Sequence, residues 1–304
     1  MSLFYPLLYS VLFAFYWINH RISRPQLPNI PLRPGQGSTL KNLATSTRAI
    51  TTKPEHPVLS KNDFKNFPLV SRESISRNVS IFRFGLPRPT DVLGLPPGQH
   101  IALAFDDGGK TLSRSYTPMS TDHDRGHFDV LVKLYPEGKM SCFLDKMKIG
   151  DEIRVRGPKG AMTYKAGYCD RIGMIAGGSG ITPMLQIIKA ARMWRGRHHA
   201  DRPDFANTTE EDIILKKAID RIAEDDQGIN VHYVLSQPPK MWAGSSGRVN
   251  LDMIKAKLPP PAPRTKIMLC GPPAMVTSMT AILASLNYER ARPASKKDDQ
   301  VFCF

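Results

Sequence analysis

Only four cysteines occur in the 304 residues, at positions 142, 169, 270 and 303, and no two of them form a C-x-x-C pair. So few in so long a chain exclude a disulfide framework, and their spacing argues against a zinc knuckle or a dithiol redox motif. Reduced thiols in a cytosol-facing protein are expected. Acidic residues are missing from the start of the chain, where no Asp or Glu precedes Glu55. Charge of either sign is missing from residues 3–18, LFYPLLYSVLFAFYWI. Sixteen residues fall a little short of the ~20 that a helix needs to cross a bilayer. The rings of Phe4, Tyr5, Tyr16 and Trp17 suit the two interfaces, and Arg21 and Arg24 follow at once, which leaves the rest of the chain in the cytosol. No basic segment precedes the run and no A-x-A site follows, so a signal peptide is the poorer reading. A buried core helix is the other alternative, and a membrane anchor over residues 1–19 is the expectation.

Residues 20–62 are rich in Pro, Ser, Thr and Gly, a linker composition that buries too little apolar surface to fold. Its basic side chains either lie against anionic headgroups or serve only solubility. The whole chain is 41% apolar and 23% charged, which excludes a largely disordered or collagen-like protein. A net charge of +15 fits nucleic acid, an anionic membrane or an acidic protein partner. No RNP, helix-turn-helix or zinc signature supports nucleic acid.

From residue 63 to 166 the pattern changes to short alternating runs. SIFRFGL (80–86), HIALAF (100–105), HFDVLVKLY (127–135) and DEIRVRG (151–157) read as strands separated by turns, and together as a small antiparallel β-barrel. Within it stands RSYTPMS (114–120). Residues i and i+2 of a strand share a face, so Arg114 and Tyr116 point the same way, one able to hold a diphosphate and the other to lie on a flat ring. Thr117 offers a hydroxyl and an amide at the ring edge. Gly138, Lys139, Met140 and Ser141 open a short helix whose free amides form an anion site. A chance alternation and an ordinary capped helix would account for each separately; together they suit a flavin dinucleotide.

From 167 onward strands alternate with helices, which predicts a parallel sheet with ligands at its carboxyl edge. RIGMIAGG (171–178) leads through Ser179, Gly180 and Ile181 to Thr182, read as an N-cap, with Pro183 at the first helical position. The unit recurs as KIMLC (266–270), the turn Gly271-Pro272-Pro273 and a helix with Met275 on its apolar face. VHYVL (231–235) is a further buried strand, and an acid-led helix is expected from residue 209. Cys270 lies at the carboxyl edge, where a buried structural thiol is the usual occupant.

RSYTPMS, GKMS, GGSGITPMLQII and CGPPAM, in this order, strongly resemble the NADH–cytochrome b5 reductases, and the terminal VFCF matches as well. The likeness runs from about residue 66 to 304 and is strongest to the membrane-anchored fungal type. It implies a ferredoxin reductase-like fold: an FAD barrel followed by an α/β NADH domain, behind the membrane helix. It further implies that Arg114, Ser115, Tyr116 and Thr117 hold FAD, with Gly138, Lys139, Met140 and Ser141 at its diphosphate and Lys133 and Thr182 beside the ring. Gly178, Gly180, Ser236, Cys270, Gly271, Pro272 and Met275 would then line the NADH site, with Thr117, Lys133, Thr182 and Cys270 closest to the chemistry, Phe304 at the domain interface, and no metal. The implied acceptor is cytochrome b5, an acidic haem protein. The implied location is the cytosolic face of the endoplasmic reticulum or the mitochondrial outer membrane.

Three departures stand out. Ser236 occupies a position where the family usually has Asp, which weakens discrimination against a 2′-phosphate and hence against NADPH. Ser179 replaces the commoner Thr. In RHHADRPDFANTTEED (197–212) polar residues and Pro203 stand where the family has an apolar strand, so a shortened or missing strand and a less stable NADH domain are expected. The same flavin module with another one-electron acceptor, or a catalytically weak membrane-bound interaction protein, are the competing functions.

Overall fold

The computed structural model describes residues 14–19 as backbone alone, together with residues 56–194 and 213–304. Two six-stranded sheets organise them. One strand, β1 (Ala14–Asn19), precedes both units in the chain and belongs to the second sheet.

The first sheet contains β2 (Lys65–Ser76), β3 (Val79–Gly85), β4 (His100–Asp107), β5 (Lys110–Tyr116), β6 (His127–Lys133) and β7 (Glu152–Lys159). Its order is β5-β4-β7-β2-β3-β6, antiparallel throughout. Alternation decides which side chains enter the core: on β7 the buried residues Ile153 and Val155 are flanked by more exposed neighbours. Phe67, Phe82, Phe84 and Phe128 are fully buried, with Phe128 stacked on Phe84 at 5.3 Å and edge-on to Phe67 at 5.5 Å. Each such ring contributes roughly 1.5–3 kcal/mol of burial. The two outer strands, β5 and β6, are linked by the segment between them. After β5 the chain crosses to β6, where the Met119 amide donates to the Asp129 carbonyl at 2.8 Å.

A short helix, α1 (Lys139–Lys146), packs on β5, fixed by Phe143 stacked on Phe105 at 4.2 Å and by buried Met140 and Leu144. The four strands read from alternation are present as β3, β4, β6 and β7. β2 escapes that reading because Pro68 interrupts it. Pro68 falls where β2 leaves its pairing with β7 and continues on β3.

The second sheet contains β8 (Arg171–Ala176), β9 (His232–Leu235), β10 (Ser245–Ser246), β11 (Thr265–Cys270) and β12 (Val301–Cys303), in the order β10-β9-β1-β8-β11-β12. β8 to β12 run parallel, and β1 alone runs against them. Helices α2 (Ile181–Trp194) and α3 (Lys216–Asp225) pack on one face, α4 (Leu251–Lys257) and α5 (Pro273–Ser285) on the other. The apolar cluster under α2 continues into the barrel through Val79 and Leu131, so one core joins the two units.

Several expectations need restating. Of the expected membrane helix, residues 14–19 form β1 and residues 1–13 lie outside the described residues. No helix among the described residues is long and apolar enough to cross a membrane. The departure at 197–212 and the acid-led start at 209 also lie outside them; the helix that follows begins at Lys216 with no acid in its first turn. The sheet slot between β8 and β9 is taken by the backbone of β1, which pairs Tyr16 with Met174 and Phe15 with His232. Thr182 is not an N-cap. A 3-10 turn, Gly178–Gly180, runs into α2 at Ile181, and the Thr182 hydroxyl donates to the Ser179 carbonyl at 3.0 Å.

Candidate functional site

Two surfaces carry the candidate residues. The barrel contributes β5, β6 and the start of α1. β5 and β6 are the outer strands of their sheet, and such strands leave backbone groups free for a ligand. β5 ends in Tyr116 and β6 in Lys133. Tyr116 packs partly on the barrel core, and burial raises its phenol to about 12 against the lowering effect of Arg114. It is therefore a neutral hydroxyl beside a flat apolar face. Arg114 is exposed, its Nη1 donating to the neighbouring Ser113 carbonyl at 2.8 Å, which leaves most of its fork facing outward.

The N-cap of α1 is Gly138, with no side-chain cap, so the amides of Lys139, Met140 and Ser141 have no acceptor within the helix. A Cβ at 138 would stand 2.8 Å from Ser141 Oγ, the end of a side chain that can turn aside. Lys139 Nζ donates to Asp107 Oδ2 at 2.6 Å, in an ion pair open to solvent on both sides. Free amides, a lysine and a guanidinium beside an aromatic face fit a dinucleotide that carries a flat ring and a diphosphate.

The α/β unit contributes the carboxyl edge of its sheet. β8 ends in the glycine turn and β11 in Cys270-Gly271-Pro272. Gly178 has φ +60°, a conformation that favours glycine. A Cβ on Gly180 would lie 2.3 Å from the Cys270 carbonyl oxygen, and one on Gly271 would lie 2.7 Å from Met275 Sδ. The two turns touch, and the Gly177 amide donates to the Cys270 carbonyl at 2.7 Å. Backbone this bare, next to the start of α2, is what a pyrophosphate needs for close approach. Ser236 is exposed just past β9 on the same edge, and Phe304 follows β12, its amide bonded to the Leu269 carbonyl at 2.9 Å.

Burial raises the Cys270 thiol to about 12, with Cys303 adding to the shift. The group is a neutral thiol and no nucleophile. Met275 is buried in the core beneath Gly271, so it supports the turn rather than lining the surface.

The two surfaces face each other. β6 packs on the Gly178–Gly180 turn, and Lys133, 7% exposed, stands at the end of β6. Thr182, 6% exposed, follows the same turn. Charge and motif spacing missed a set of residues that holds this arrangement: Gly98, Gln186 and Lys189. Helical spacing shows only that Gln186 and Lys189 stand four and seven positions after Thr182 on one face of a largely apolar helix. A separate cavity of about 250 Å³, lined by His56, Lys65, Arg88 and Asp91 among others, includes none of the candidate residues.

Two family models match the chain, an oxidoreductase FAD-binding domain over residues 66–164 and an oxidoreductase NAD-binding domain over 174–281. NADH-cytochrome b5 reductase 1 of Aspergillus oryzae is 54% identical over 254 residues, covering 81% of this chain and 87% of that protein. The protein of the same name from Coccidioides immitis is 48% identical over 274 residues, covering 88% and 89%. Among solved structures, the cytochrome b5 reductase domain of Ulva prolifera nitrate reductase superposes with a TM-score of 0.73 at 32% identity, covering 82% of this chain and all of that one. With both cofactor domains matched and about half its residues shared with these proteins over four fifths of its length, the chain belongs to the NADH–cytochrome b5 reductase family.

Proposed function

We propose that this chain takes electrons from NADH through bound FAD and passes them to cytochrome b5 at a membrane surface. The observation that carries this reading is the facing of two prepared surfaces: the β5, β6 and α1 edge of the barrel against the glycine turns of the α/β unit, joined through β6 and α2. FAD, when bound, supplies the conversion of a two-electron hydride into single electrons. Arg114 and the first-turn amides of α1 would hold its diphosphate, and Tyr116 and Thr117 its ring. The 178–180 turn and Cys270-Gly271 would hold the NADH backbone. Lys133 and Thr182, both buried, keep water from the space between, and the neutral Cys270 thiol adds no charge there.

The charge distribution supports the partner and the location. Of the net +15, the acid-free first 54 residues hold +6, beside the uncharged run at 3–18, as suits a tether near anionic lipid. The remaining +9 suits an acidic electron acceptor, with an attraction that salt screens. We assign the tether to residues 1–19, the linker to 20–62, the FAD unit to 63–166 and the NADH unit to 167–304, with both units cytosolic on the endoplasmic reticulum or the mitochondrial outer membrane.

The test is purification followed by titration. A yellow protein that NADH bleaches, and that then reduces cytochrome b5 with a KM rising with ionic strength, supports the reading. A colourless protein, or a yellow one that NADH leaves unchanged, rejects it. Bleaching without cytochrome b5 reduction would turn the assignment to another acceptor.

A further inference from the structure

α2 carries a polar stripe, Thr182, Gln186 and Lys189 at i, i+4 and i+7, of which Gln186 and Lys189 bond to the barrel unit. Gln186 is 3% exposed, and both ends of its amide are matched by one turn of the FAD unit. Oε1 accepts from the Gly98 amide at 2.6 Å and Nε2 donates to the Gln99 carbonyl at 3.3 Å. The turn is pressed hard into this place. Gly98 has φ +93°, and a Cβ there would stand 2.2 Å from Met162 Cγ, with Ile187 Cδ1 at 3.5 Å. One turn further along the helix, Lys189 Nζ donates to the Met119 carbonyl at 2.6 Å. The Met119 amide in turn donates to Asp129 on β6. Thus a single residue, Met119, two past Thr117, ties the segment after β5 to both β6 and α2.

Apolar contacts such as those that join Val79 and Leu131 to the α2 cluster are non-directional, whereas a hydrogen bond has a set geometry. A buried amide is costly unless both ends are paired, and it can be paired in only one relative position of the two units. We propose that Gln186 and Lys189 are positioning residues that hold turn 96–99 and segment 117–119 against α2, and so set the separation between the ring-binding face of the barrel and the glycine turn of the dinucleotide unit. Neither residue need touch a cofactor. The inference rests on the proposed hydride transfer, in which a misplacement of about 1 Å can cost on the order of a hundredfold in rate.

The experiment compares Gln186→Leu, Lys189→Met and Lys189→Arg with the unaltered full chain. Leucine keeps the packing and removes both amide bonds; methionine keeps the stem and removes the donor; arginine restores a donor. All three are expected to retain one FAD per chain and to bind NAD⁺ within about threefold of the parent, since the holding residues are untouched. Flavin reduction by NADH at saturation should fall at least tenfold in Q186L and K189M, with KM nearly unchanged, and recover in K189R. Small-angle scattering should show a larger radius of gyration, or calorimetry a split melt, in the first two variants alone. Reoxidation by ferricyanide after dithionite reduction should be unaltered. Unchanged reduction rates in folded Q186L and K189M overturn the inference, as do rate losses matched by weaker FAD or NAD⁺ binding. If Q186L does not fold, K189M decides, because Lys189 is only half-buried. A parent protein that NADH fails to bleach would instead overturn the functional reading beneath it.

Discussion

Gly180 stands so close to Cys270 that a Cβ on it would lie 2.3 Å from the Cys270 carbonyl oxygen. The neighbouring Gly271 amide would be 3.1 Å from the same Cβ, so the intruding methyl meets backbone on two sides and no flexible side chain can yield. Gly180→Ala is therefore expected to part the turns after β8 and β11 at a cost of about 1–3 kcal/mol. FAD content should stay at the parent level, because the barrel is untouched, while NADH-dependent flavin reduction falls tenfold or more. FAD loss and NADH failure occurring together would show that the two surfaces are not separable in this way.

Cys270 lies at that same contact, and its thiol is raised to about 12 by burial. At pH 8 the thiolate fraction is then about one in ten thousand, roughly a thousandfold below that of a free cysteine. Site-resolved alkylation should find Cys270 far slower than the part-exposed Cys142 in the same molecule. Cys270→Ala should leave the shape of the pH–rate profile between pH 6 and 9 unchanged. A limb of that profile that vanishes in the alanine variant would mean a titrating thiol.

Ser236 is exposed beyond the carboxyl end of β9, on the edge that carries both glycine turns. A hydroxyl there offers no charge to repel a 2′-phosphate. Ser236→Asp is expected to raise the ratio of kcat/KM for NADH over NADPH by about tenfold, through loss on NADPH. A ratio that does not move would place the 2′-position elsewhere on the edge.

Local periodicity made most of the fold legible. β3, β4, β6 and β7 alternate, and β8 and β11 are short apolar runs ended by Gly, so their type and place follow from the residues. β2 did not, because Pro68 breaks the pattern at the point where the strand changes partners. The bare backbone at Gly178 and Gly180 was legible because a left-handed turn and a close approach each demand glycine. Gln186 was not, since its role depends on meeting a turn 88 residues away, and helical spacing shows only that it shares a stripe with Thr182. The strand at 14–19 was hidden for a further reason. An apolar run without alternation reads equally as a strand buried on both faces or as a helix.

His232, half-buried on β9, has its pKa lowered to about 4, first by burial and second by Lys257, and its Nε2 lies 2.7 Å from Ser245 Oγ. A lowered folded-state value favours the neutral ring. As pH falls below about 6.5 the unfolded chain takes up a proton that the folded one refuses, so this contribution is full above that pH and fades toward pH 4. With the exposure of the ring discounted, it amounts to about 1 kcal/mol. Denaturant titrations at pH 7.5 and 5.0 should show His232→Gln losing about that much less than the parent. Equal losses would mean an ordinary imidazole.

Ala14–Asn19 pairs along β8 from Tyr16↔Met174 to Asn19↔Arg171 and reaches β9 at Phe15↔His232, so it lies between these two strands of the sheet. The same residues end the uncharged run proposed as the membrane tether, and one backbone cannot be a membrane helix and a sheet strand at once. The two states therefore compete. Deleting residues 1–20 should abolish flotation with anionic vesicles, lower the melting temperature and speed amide exchange across 171–176, while FAD is retained. Adding vesicles to the full chain should speed exchange in the same segment, because a tether drawn into lipid leaves β8 and β9 unpaired between them. If exchange at 171–176 is indifferent to both the deletion and the vesicles, β1 contributes nothing to the sheet in solution and the tether is free to act alone.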